Sequence, residues 1–60
     1  MNRYYIEIAR EMLGLRHDQE IDAKLRIALD AAHNRCYALG GALVSRQAVA
    51  CIIAVWEAQQ

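Results

Sequence analysis

Apolar residues recur along this chain at helical spacing, with no sustained alternation of the kind a half-buried strand needs. Stepping about 100° per residue separates three stretches. In the first, from about residue 3 to 15, Tyr4, Ile8, Met12 and Leu15 share one face with Tyr5 on its flank, and Ile6, Ala9 and Leu13 form an adjoining strip. Asn2 is a candidate N-cap, and Arg3, Glu7, Arg10 and Glu11 fill the polar remainder. The apolar arc is about 200° wide, roughly twice what a surface helix with one buried face requires.

The second stretch, about residues 18–39, has the narrowest stripe. Ile21, Leu25, Ala28, Leu29, Ala32, Cys36 and Leu39 fall within about 100° of one another. Asp18 is placed as N-cap, with Glu20 and Asp22 near the positive helix end. Glu20–Lys24 and Asp22–Arg26 are i,i+4 pairs in the favourable order, and Gly40-Gly41 supplies a stop. The third stretch, about residues 45–58, opens on Ser45 as N-cap. Val49, Ile52, Ile53 and Trp56 make a large-residue face with Val55 at its edge. Ala50, Ala54 and Ala58 make a separate small-residue face flanked by Cys51. The short connections, Arg16-His17 and Gly40 to Val44, suit antiparallel neighbours.

The pattern predicts an all-α fold: one helical domain over residues 1–60, three helices, and the long second helix as spine. Composition changes that picture in one respect. The chain is 57% apolar with no Pro, and a core of this size supplies only about 3–5 kcal/mol. Small domains of this kind are usually stapled. Cys36 and Cys51 allow one disulfide at most, and no apolar signal segment precedes them. A reducing, cytoplasmic setting with free thiols is therefore expected, and oligomerisation becomes the expected staple. Segments one and three carry more apolar surface than three short helices can cover. This predicts a homodimeric helical bundle whose interface includes Ile6, Leu13, Ala50, Ile53, Ala54 and Trp56.

The candidate chemistry is sparse, and neither a cofactor nor a metal is expected. His33 and Cys36, with Cys51 or His17 added, are the candidate metal ligands. They lack the Cys-x-x-Cys or His-x-x-x-His spacing of zinc sites, and Cys36 reads more simply as a core residue. A cysteine nucleophile is disfavoured because both thiols lie on apolar helix faces. There is no glycine-rich phosphate loop, nucleophile elbow or paired-carboxylate cluster, so an enzyme is not expected. Cys36 to Trp56 is long enough to span a bilayer, but Gly, Ser, Arg and Gln at its centre argue against a membrane.

The run Val44-Ser45-Arg46-Gln47-Ala48-Val49 resembles the turn and recognition-helix start of helix-turn-helix repressors over about ten residues. That resemblance implies a dimeric DNA-binding transcriptional regulator using Arg46 and Gln47. Zero net charge and the Ala, Val, Cys and Ile that follow make this the second reading. The first is a small non-enzymatic protein-binding module, an adaptor or an inhibitor. Small phage- or plasmid-encoded regulators, anti-CRISPR-type inhibitors among them, share its size. Tyr and Arg are enriched at interface hot spots, and the expected contact residues are Tyr5, Arg10, Arg26, Ile27, Asp30, Tyr37 and Arg46.

Overall fold

A computed structural model describes residues 4–40 and 43–60 of the chain, so Asn2, Arg3 and Gly41 lie outside the described residues. The fold is all-α. Three helices, α1 (Tyr4–Leu13), α2 (Ala23–Ala38) and α3 (Arg46–Ala58), pack around one apolar core within 31 × 24 × 19 Å. All three pairs touch, and α3 rests on both of the others.

The core is small. Tyr5, Ile6 and Ala9 come from α1, Leu25 and Leu29 from α2, and Val49 and Ile53 from α3; Ile21 and Val44 enter from the connections. Burying each large aliphatic side chain contributes about 1.5–3 kcal/mol. Leu25 and Leu29 are one turn apart and fully buried, as the narrow stripe of the second stretch predicts.

The wide arc of α1 resolves differently from its apparent centre. Tyr5, Ile6 and Ala9 face inward, Tyr4, Ile8 and Leu13 are half-buried, and Met12 is exposed. Two hydroxyls explain the rotation. Tyr4 Oη donates to the Val44 carbonyl at 2.6 Å, and Tyr5 Oη donates to Asp30 Oδ1 at 2.6 Å. Both tyrosines thus bury a ring and still satisfy the oxygen, as a buried polar group requires. The Tyr5 ring also stacks on His33 with centroids 4.7 Å apart.

The second helix starts at Ala23, later than the sequence pattern suggests, and Asp22 is its N-cap in place of Asp18. Asp22 Oδ2 accepts from the Lys24 and Leu25 amides at 3.0 and 3.3 Å, and also from Trp56 Nε1 at 3.1 Å. Asp18 instead meets Arg16 in a loop, which is closed by Gln19 and Arg16 bonding through backbone and side chain. Arg10 Nε donates to the Gln19 carbonyl at 2.7 Å and fastens this loop to α1. Glu20 and Asp22 therefore precede the helix, where the i,i+4 rule does not operate. The i,i+4 ion pair that forms on α2 is Arg26–Asp30 at 3.9 Å. At 16 residues α2 is about 24 Å long.

The helix ends at Ala38 with Leu39 as C-cap, and Gly40 takes φ +128, a conformation that L side chains rarely adopt. Leu39 thereby leaves the stripe and is 81% exposed. Ser45 caps α3 as its sequence position predicts, its Oγ accepting from the Ala48 amide at 3.1 Å.

Asp22 serves two elements at once, so its loss is expected to exceed that of an ordinary cap. Asp22→Ala should remove about 1 kcal/mol of capping and about 1 kcal/mol for the Trp56 bond. For a chain this short that lowers the melting temperature by about 10 °C. Thermal unfolding followed by circular dichroism checks this. A shift within 2–3 °C of zero, as an ordinary exposed substitution gives, would contradict the double role.

Candidate interaction surfaces

The apolar residues left outside the core fall on two faces. The first is the solvent side of α3. Val49 and Ile53 point inward, with Ile52 and Trp56 half-buried beside them. On the opposite side Gln47, Ala50, Cys51, Ala54, Val55 and Ala58 are all exposed, Val55 at 60%. The Ala50, Ala54, Ala58 strip read from the sequence is therefore uncovered within one chain. Beside it, toward α2, lies an apolar groove of about 320 Å³ lined by Lys24, Ala28, Cys51, Ile52, Val55, Trp56 and Gln59. Small side chains allow a second helix to approach closely, and the groove widens the apolar area next to them.

The second face is the back of α2. Ile27 is 69% and Tyr37 67% exposed, on the side turned from Leu25 and Leu29. Arg26 and Asp30 pair at their margin, each still partly exposed. Leu39 and Leu43 add two more exposed apolar side chains at the α2–α3 connection. Of the expected contact residues, Arg26, Ile27, Asp30 and Tyr37 are thus brought to one helix.

The others are dispersed. Tyr5 is 1% exposed and belongs to the core, since its hydroxyl meets Asp30 and its ring meets His33. Arg10 is half-buried and engaged by Glu7 and the Gln19 carbonyl. Arg46 stands on the first turn of α3 and pairs with Glu11 at 3.3 Å across two exposed side chains. Among the expected interface residues, Ile6 and Ile53 are buried within the chain, and Leu13 and Trp56 are half-buried. Ala50 and Ala54 are the ones left on the surface.

Periodicity alone sets Cys51 and Val55 at the edges of apolar faces, and the structure exposes both, because a helix apolar on every side cannot bury all of it against two neighbours. Leu39 and Leu43 have a different origin, because the helix end displaces one and a connection carries the other.

Both thiols are free, Cys36 partly buried and Cys51 exposed. Among the described residues no three His, Cys, Asp or Glu side chains converge to hold a metal ion. Among the described residues His33 Nδ1 is buried without a hydrogen-bond partner, and the imidazole face stacks on the Tyr5 ring. Among the described residues no helix is long and apolar enough to cross a membrane. No protein-family model, curated protein or solved structure matches this chain.

Exposed Cys51 and half-buried Cys36 should differ in reactivity. Alkylation at neutral pH is expected to modify Cys51 first, and peptide mass mapping of a partly reacted sample would show which thiol reacts. Equal rates would contradict the burial difference between them.

Proposed function

We propose that this chain is a non-enzymatic protein-binding module, an adaptor or an inhibitor, that acts as a homodimer in a reducing compartment. The observation that carries the reading is the outward face of α3. It is apolar along most of its length, although the same helix already supplies Val49 and Ile53 to the core. Contiguous exposed apolar surface of this kind marks interaction sites in small soluble proteins. Self-association through α3 leaves the back of α2 open. Tyr37, Ile27 and the Arg26–Asp30 pair there combine an aromatic anchor, an aliphatic side chain and a charged rim, the types that dominate protein interfaces.

The DNA-binding reading draws on exposed Arg46 and Gln47 at the start of α3. Base readout needs donors and acceptors further along the helix. The next outward positions here are Ala50, Cys51, Ala54 and Val55, which favours protein over DNA.

The experiment is affinity capture on the tagged chain after nuclease treatment, with Tyr37→Ala as the comparison. A single protein retained by the wild type and lost with Tyr37→Ala, at unchanged helix content, supports the module. Retention of nucleic acid at low salt in a parallel sample left without nuclease, lost with Arg46→Ala, would replace it with the DNA-binding reading.

A further inference from the structure

The end charges of α3 are inverted with respect to its own dipole. A helix favours acidic residues in its first turn and basic residues in its last. Here Arg46 is the first residue of α3 and Glu57 the last but one, with no acidic residue in the first turn and no basic residue in the last. Within one chain each charge faces the helix end that repels it. Glu57 makes no ion pair among the described residues, and Arg46 makes one exposed contact, with Glu11. That contact uses one of the five N–H donors of the guanidinium.

Gln47, Cys51, Ala54 and Ala58 follow one another at steps of four, three and four residues, and all are exposed. This is the spacing of a helix-pairing seam. Arg46 and Glu57 are separated by about three helical turns, so they lie on one flank of that seam about 16 Å apart.

We propose that two copies of this chain pair antiparallel through α3, with Arg46 of each copy against Glu57 of the other. The inference rests on the reading of the chain as a self-associating module, and it specifies the seam and its direction. A two-fold axis perpendicular to the paired helices carries the charged flank of one copy onto the same flank of the other, so the contact forms twice. Each Glu57 then sits by the positive end of the second copy's α3, and each Arg46 by a negative end. The charges that oppose the dipole within one chain match it in the pair. A parallel pair would place both Arg46 at one end and both Glu57 at the other, on opposite flanks of the seam, and would form no Arg46–Glu57 contact, so the charge pattern selects direction as well as partner. The small side chains of Cys51, Ala54 and Ala58 in the seam permit the close approach that such pairing needs.

Sedimentation equilibrium of the wild type, R46E, E57R and R46E/E57R at low salt tests the proposal. Each single reversal is expected to weaken self-association about tenfold, since two exposed pairs become like-charge contacts. The double reversal is expected to restore it to within about twofold, because the reciprocal contacts re-form with exchanged signs. In dilute, monomeric samples E57R should raise the melting temperature slightly by placing a cation at the helix C-terminus. A lost structural contact would lower it. Single reversals without effect on a dimeric wild type, or a double reversal weaker than both singles, would overturn the antiparallel seam while leaving self-association standing. A monomeric wild type would overturn both the seam and the homodimer, and the capture experiment would then decide the protein-binding reading alone.

Discussion

Ile53→Asp should abolish the fold. Ile53 is 7% exposed and sits in the core that α3 shares with α1 and α2. Removing its side chain forfeits about 1.5–3 kcal/mol of burial. Placing a carboxylate there costs several kcal/mol more, because the buried residues it would join among the described residues are apolar. A core of this size supplies about 3–5 kcal/mol in total, so the substituted chain is expected to be unfolded at 25 °C. Far-UV circular dichroism should show loss of the helical signal. Val55→Asp, on the same helix but 60% exposed, should retain it. Helical signal and melting unchanged in Ile53→Asp would remove α3 from the core.

Ala54→Arg should have the opposite profile, with the fold kept and association lost. Ala54 is exposed on the outward side of α3, and arginine is nearly as good a helix former as alanine. The monomer should therefore melt within about 2 °C of the wild type. A paired α3 would meet the added bulk twice, once from each copy. Overpacking costs about 1–3 kcal/mol per site, so self-association is expected to fall at least about 30-fold. Sedimentation at matched concentrations measures this. Association unchanged by Ala54→Arg would place any dimer contact elsewhere on the surface.

The three helices were legible from spacing alone, and so was Ser45 as a cap, because it is the only Ser in the chain and it precedes an apolar run. The start of α2 was not. Asp18 and Asp22 are both good caps, and local sequence does not rank them. What selects Asp22 is distant: Trp56, 34 residues away, donates to the same carboxylate, and Ile21 must reach the core ahead of the helix. The 200° arc of α1 posed a related problem, since so wide an arc has no unique centre. The hydroxyls of Tyr4 and Tyr5 fix the rotation by finding acceptors on Val44 and Asp30, two contacts between residues far apart in sequence.

The surfaces were half legible. Tyr37 and Ile27 stand opposite the cleanest stripe, so periodicity alone places them outside. Tyr5 read as a surface aromatic because its partner lies 25 residues further along the chain. Ile6 and Ile53 read as interface residues because the apolar excess of segments one and three was evident before it was known which part three helices could bury. Three helices bury those two and leave Ala50, Cys51, Ala54 and Val55. The surplus is real, but it lies one helix face away from where large side chains pointed.

A second copy of the chain is proposed to cover this face of α3. The mass of the wild-type chain in solution at micromolar concentration, by sedimentation equilibrium beside Ala54→Arg, tests it most directly. The expected result is twice the 6.8 kDa chain mass for the wild type and a single chain mass for Ala54→Arg, with equal helix content. A wild type that remains at 6.8 kDa across the micromolar range would contradict it.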